Sequence, residues 1–581
     1  MRPRLAVAAV GAVALLATVG ACSKNTGSNQ GSGGQGSTQS GSIATDPADS
    51  QGPAKAVSGA KTGGTLYQYA EADFDHLDPT RAYVNNATAV INLFARTLTM
   101  FKDEGNGKLK LVGDLATTPG KDVSTGTKCT SWEFTLKSGL KYEDGTPITA
   151  ADVAYGVARS FSPDLAEGPH YIQQWLANDV NYNKTYKGPY NGGAPIPPGV
   201  KVSGNKITFD FKQPHCDMPF AASWGTTTPL PKAKDTRTKL DLHPFSSGPY
   251  KVQTYTRDSK LVLVRNKYWD PKTDAVRHAY FDKFETDIGQ DADQQANSIK
   301  ASQGKSANAV MGANVPPALI PTVQGDPAVK SRVAAGYTQF VWYMAINNQR
   351  ITDLKERQAL NYGFDRKSFI QTLGGSTAGD PATTLLSPTT IGFKKYDAYP
   401  YSLDKAKQLL GSKHPKLVFA FANTAQWQKR ATNVQNTLQK IGFKVVLKPI
   451  DAASYYTQIG KKDNQYDLYF AGWGSDWPSG STIIPPVFDG RNIQAQGNST
   501  YPYFNNDSVN AQIDKLSKQT ATEAAPGWAK LDKDIMTKYA PVVPVWYDKA
   551  YQLYGTNVGN MKIGQSTGWP VYFNAYLKNG K

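Results

Sequence analysis

The sequence predicts an α/β protein of several domains. Three observations carry that expectation. The run Leu417-Val-Phe-Ala-Phe421, a helix-patterned stretch with Val434, Leu438 and Ile441 on one face, and the alternating Phe443, Val445 and Leu447 follow in strand–helix–strand order. That order specifies a parallel strand pair joined by a right-handed crossover. Earlier, Trp132-Glu-Phe-Thr-Leu136 and residues 200–211 and 250–265 alternate apolar with polar side chains, as half-buried antiparallel strands do. Finally, 581 residues of which 40% are hydrophobic suffice for more than one core.

At the N-terminus, Arg2 and Arg4 precede an almost wholly apolar run over residues 5–19. The run suits the hydrophobic region of a signal peptide and falls short of the roughly 20 residues that span a bilayer. It ends in Val19-Gly20-Ala21-Cys22, which resembles the lipobox of bacterial lipoproteins. Residues 1–21 are therefore expected to be a signal peptide. Cys22 is expected to carry the lipid that anchors the chain on the extracytoplasmic face of the cell membrane. Residues 23–42 contain no apolar side chain and are rich in Gly, Ser, Gln and Thr. Such a tract cannot offset its ordering entropy by burial, so residues 22–62 are expected to be a flexible tether.

The body opens after Gly63-Gly64 with Thr65-Leu-Tyr-Gln-Tyr69, which reads as a strand. Glu143-Asp-Gly-Thr-Pro147 is a turn, and Thr149-Ala-Ala-Asp152 is a capping box ahead of a helix with Val153, Val157 and Phe161 on one face. Residues 181–199, rich in Asn, Gly and Pro, read as a surface loop. Gly442 is placed to end the helix of the strand–helix–strand unit. A strand at 466–470 then leads into Gly472-Trp-Gly-Ser-Asp-Trp-Pro478. In α/β sheets ligands gather at loops beyond the carboxyl ends of strands, where this loop falls.

Composition narrows the function. The formal net charge is +17, yet Lys and Arg are scattered, with pairs such as Lys394-Lys395 and Lys461-Lys462 as the longest runs. Nucleic-acid binding, which needs a basic patch, is not expected. Enzyme motifs are missing too: there is no Gly-x-Ser-x-Gly elbow, no His-Glu-x-x-His and no P-loop. No catalytic residue and no cofactor are assigned. His76, His170, His215, His243, His278 and His414 are far apart and no cysteine cluster exists, so no metal site is expected. Cys129 and Cys216 form either one disulfide, the favoured reading in an oxidising exterior, or two buried thiols. Of the 31 Tyr, 11 Trp and 22 Phe, most pack cores and a few suit a ligand cleft.

Several blocks together resemble the family 5 extracellular solute-binding proteins, the dipeptide- and oligopeptide-binding group of bacterial ABC importers. They are the stretch from Trp132 to Val153, Ser247-Gly-Pro-Tyr250, Val264-Arg-Asn-Lys-Tyr-Trp269, Arg357-Gln-Ala-Leu-Asn-Tyr-Gly-Phe-Asp-Arg366 and Leu403-Asp-Lys-Ala-Lys-Gln-Leu-Leu410. The resemblance implies a large two-lobed periplasmic-binding-protein-like fold. Lobe I would be residues 63–335, with an extra subdomain at about 85–235, and residues 541–581 would return to it. Lobe II would be residues 336–540, with the crossings at 337–346 and 541–547.

It also implies the function: a monomeric lipoprotein that closes on an oligopeptide and delivers it to ABC permease and ATPase subunits. The same fold holding an oligosaccharide or another small solute is the alternative, and a lipid-anchored hydrolase stands behind both. By the family pattern Asp476 meets the ligand's α-ammonium, and Trp473 and Trp477 wall the pocket. Tyr83 and Asn85 are further candidates, and Arg491 is named for the ligand carboxylate.

Overall fold

Five sheets form among the described residues, and the three largest, of five, four and six strands, organise the chain. The computed structural model describes residues 40–105, 108–190, 192–564 and 567–581. The expected signal peptide and Cys22 lie outside the described residues.

The first sheet has five strands, in the order Ala309–Met311, Thr65–Ala70, Lys283–Ile288, Lys260–Arg265 and Tyr250–Thr256. Its first three strands are parallel and the rest antiparallel. The alternation read from residues 250–265 is a hairpin whose Tyr250, Val252, Leu261 and Leu263 are buried. The chain's C-terminus returns here. At Gly63, with φ +124°, a Cβ would stand 2.3 Å from the carbonyl oxygen of Gly580, so only glycine fits.

The second sheet has four antiparallel strands, Lys121–Asp122, Ser131–Thr135, Lys206–Asp210 and Val200–Ser203. The helix Ala150–Arg159 packs against it. Its capping box is formed: Thr149 Oγ1 accepts the Asp152 N–H at 3.3 Å and Asp152 Oδ2 accepts the Thr149 N–H at 2.8 Å. Cys129 and Cys216 are joined in a disulfide, with Cα atoms 4.9 Å apart. This sheet's core begins near Leu98. The helix Asn85–Ile91 instead gives Ala87, Val90 and Ile91 to the five-stranded sheet's core.

The third sheet has six strands, in the order Gly379–Pro381, Val542–Leu553, Val333–Ile346, Leu468–Gly474, Lys416–Ala422 and Lys444–Ile450. The last two are parallel and joined by the helix Ala425–Ile441, which Gly442 ends at φ +122°. The strand–helix–strand unit read from the sequence is present.

Two long antiparallel strands connect the lobes. Ala334 and Ala550 pack in the core over the five-stranded sheet, while Met344 and Val543 pack in that of the six-stranded one. Between them the register shifts: Tyr337 faces Lys549 and Val341 faces Tyr547, so residues 338–340 oppose Asp548 alone. The crossing therefore falls at this bulge. A bulge bends and twists a strand pair locally.

The tether expected through residue 62 is corrected for its described part. Ser40–Ile43 pairs in parallel with Lys108–Gly113, and the buried Ser50 accepts the Gly113 N–H through Oγ at 2.8 Å. Composition hid this because an added edge strand draws on backbone hydrogen bonds rather than apolar content. Ile43 and Ala44 supply the small apolar contact.

Candidate functional site

A cavity of about 490 Å³ lies where the lobes and the crossing strands meet. Asp476 enters it from the loop beyond the carboxyl end of the strand Leu468–Gly474. The glycines of this segment have a steric cause. A Cβ on Gly472 would come within 2.7 Å of the Trp342 indole, which stacks on Trp546 at 5.1 Å and 3°.

Both carboxylate oxygens of Asp476 are met from the opposite lobe. Tyr83 Oη donates to Oδ1 at 2.9 Å and Tyr171 Oη donates to Oδ2. Burial pushes the Asp476 carboxyl up to about 6, against the lowering effect of the two phenol donors. Burial and the nearby charge of Asp476 also raise both tyrosines well above their usual range, so they stay neutral donors. The Tyr83 ring is fixed by an edge contact with Trp224 at 5.4 Å. Tyr171 was missed by sequence reasoning. It opens the short helix Tyr171–Ala177, where no local pattern signals a partner 305 residues away.

Of the other sequence candidates, Asn85 and Trp473 line the cavity. The Trp473 indole N–H is anchored on the Thr482 carbonyl at 2.6 Å. Trp477 does not wall the cavity, a correction. It is 2% exposed and inserts into the core of the four-stranded sheet. There it meets Tyr171 at 4.6 Å and lies parallel to Phe220. Consecutive loop residues diverge, so Asp476 faces the cavity and its neighbour fills apolar space behind Tyr171. Arg491 is also corrected. It pairs with Asp489 and Asp514, each at 2.7 Å, and is not among the cavity-lining residues.

A second carboxylate went unread. Asp548, at the bulge, lines the cavity and accepts from Thr338 Oγ1 at 2.9 Å and Trp546 Nε1 at 3.3 Å. Burial pushes it up to about 6. Glu167 lines the cavity too and is paired with Arg81 at 3.0 Å. Among the described residues no lysine or arginine lines the cavity.

A two-lobed α/β fold with a ligand-sized cavity at the lobe junction defines a solute-binding protein. The family described as bacterial extracellular solute-binding proteins, family 5 (middle region), matches residues 110–495, and the chain belongs to this family of ABC-transporter proteins. It is similar to the structure of clavulanic acid biosynthesis oligopeptide binding protein 2, with TM-score 0.81 and 28% identity over 89% of this chain and 96% of that one. The periplasmic binding protein DppA from Helicobacter pylori in complex with the peptide STSA shares the fold. Its TM-score is 0.68 at 18% identity, over 89% of this chain and 99% of that one. The glutathione-binding protein GsiB of Salmonella typhi is 23% identical over 513 residues, 86% of this chain and 92% of that protein.

Proposed function

We propose that the chain captures short peptides outside the cell by closing its lobes around them, and hands them to an ABC permease. One observation carries this reading: a carboxylate, Asp476, facing an interlobe cavity with phenol donors and, among the described residues, no lysine or arginine in the lining. A buried carboxylate is costly unless a cation or several donors offset its desolvation, and a peptide's α-ammonium supplies charge and N–H donors together. Peptides in the complexes of structural neighbours support the same class. Glutathione fits less well, because it carries two carboxylates and the lining offers them no lysine or arginine.

The lipid anchor belongs to this proposal. Arg2 and Arg4, the short apolar run and Cys22 support it, and among the described residues no helix is long and apolar enough to cross a membrane. Replacing Cys22 with Ala should move the protein from the membrane fraction to the medium.

Calorimetry of the purified body with short peptides and their N-acetylated forms tests the ligand class. Binding of free peptides and loss on acetylation is the expected result; equal binding of both forms removes the ammonium from the reading. A second reading, an oligosaccharide, is favoured by the Trp224, Trp473 and Trp569 rings that line the same cavity. Native mass spectrometry of the purified protein separates the two by the added mass.

A further inference from the structure

On the strand Val542–Leu553, residues 548, 550 and 552 share one face at the two-residue period of a strand, and all three line the cavity. Gln339, in the bulge opposite Asp548, lines it as well. The side-chain oxygens Oε1 of Gln339 and of Gln552 have no hydrogen-bond partner, although the residues are only 6% and 1% exposed. Native structures seldom leave buried acceptors orphaned, because each then bears its full desolvation cost. Asp548 accepts two donors, while an ionised carboxylate has about four lone-pair sites.

This part of the lining is thus rich in acceptors. No lysine or arginine among the described residues joins it. Arg430 lies within electrostatic reach of Asp548 but sits over the Trp427 ring at 4.6 Å and does not line the cavity. The charge of Asp548 makes the strip acidic, so a cationic group with several N–H donors complements it better than a carboxylate or an apolar chain does. Asp548 lies on one of the two strands that flank Val333–Ile346, and Asp476 lies in the loop just beyond the other.

We propose that Asp548 and Gln339 form a second cation subsite, which takes the guanidinium or ammonium of a basic ligand side chain while Asp476 holds the ligand's α-ammonium. The inference rests on the peptide reading and sharpens it: the ligands are net-positive peptides. Positions 548 and 552 are about 13 Å apart along the strand, more than one extended basic side chain spans. Asp548 therefore takes the charge, and Gln552 takes an N–H donor farther along the ligand.

The test is calorimetry with alanine tripeptides carrying arginine, norleucine or glutamate at each position in turn. At one position at least, the arginine peptide is expected to bind about tenfold more tightly than the norleucine peptide, with glutamate weakest. In Asp548→Asn that ratio is expected to fall below about twofold. Gln339→Leu, which leaves the Thr338 and Trp546 contacts of Asp548 in place, should lower the ratio about threefold and serves if Asp548→Asn does not fold. Equal affinities for arginine and norleucine peptides at every position, or an unchanged ratio in the folded variants, overturns the subsite. If no peptide of any charge binds, the peptide reading itself fails, and agmatine, a guanidinium amine without a carboxylate, then decides the subsite. Agmatine binding that Asp548→Asn weakens about tenfold keeps it, and no binding of agmatine overturns it.

Discussion

The Trp477 indole donates its N–H to Asp217 Oδ2 at 3.0 Å, joining a loop of the six-stranded lobe to the core of the other lobe's subdomain. Ser481 Oγ donates to the same carboxylate oxygen, and burial holds the Asp217 carboxyl above its usual range. The loop is therefore wedged into its neighbour by a large ring with a hydrogen-bonded tip.

Removing that wedge should loosen closure rather than abolish folding. Trp477→Ala deletes an indole whose burial is worth about 3–5 kcal/mol. Much of that loss should appear as a shift toward the open arrangement. Small-angle scattering should show a larger radius of gyration than the parent's, and peptide affinity should fall about tenfold or more. An unchanged radius and affinity would show that the lobes are held together by other contacts.

Asp476→Ala should weaken peptide binding by about tenfold or more, with the melting transition retained. Arg491→Ala is the matched control. Its partners Asp489 and Asp514 lie away from the cavity, and exposed ion pairs contribute about 0–1 kcal/mol, so affinity should stay within about twofold. A large affinity loss in Arg491→Ala would return that residue to the site.

Acidity should act on Asp476 with opposite signs for binding and for stability. The folded carboxyl titrates at about 6, so a ligand ammonium should bind most tightly above that pH and weaken, by up to about tenfold per unit, below it. In the empty protein the raised group binds more protons folded than unfolded between about 4 and 6. Its contribution to stability therefore falls as pH rises through that window. Asp476→Asn should lessen the slope of both profiles, the remainder of the stability slope coming from Asp548 and Asp532, which burial also pushes up to about 6. The measurements are titration calorimetry from pH 5 to 7 and thermal melts from pH 4 to 7, and identical profiles for parent and variant would contradict the assignment.

Breaking the Cys129–Cys216 bond should destabilise the subdomain. The bond closes a loop with a sequence separation of 87 residues, for which chain entropy gives about 4–5 kcal/mol. The double variant Cys129→Ser/Cys216→Ser should unfold at lower denaturant concentration than the parent. The parent in reductant should approach it.

Much of the fold was legible because its signals are local. The capping box at Thr149 and Asp152 and the strand–helix–strand unit ended by Gly442 depend on contacts within a turn or a period. The site was half legible. Asp476 was reached through the family resemblance, which its position after a strand supports, but the direction of Trp477 depends on Asp217, 260 residues earlier. Tyr171 and Asp548 escaped for the same reason. One acts across 305 residues, and the other becomes a lining residue only because a bulge sets three residues against it.

The pairing of Ser40–Ile43 with Lys108–Gly113 fixes where any pull from the membrane would enter the molecule. With Cys22 lipidated, the 18 peptide steps to Ser40 set an upper limit of about 60 Å on the reach. The load would fall on the lobe that holds Tyr83 and Tyr171, leaving the Asp476 lobe as the free jaw. The binding mouth would then patrol a shallow layer above the bilayer, about two protein diameters deep.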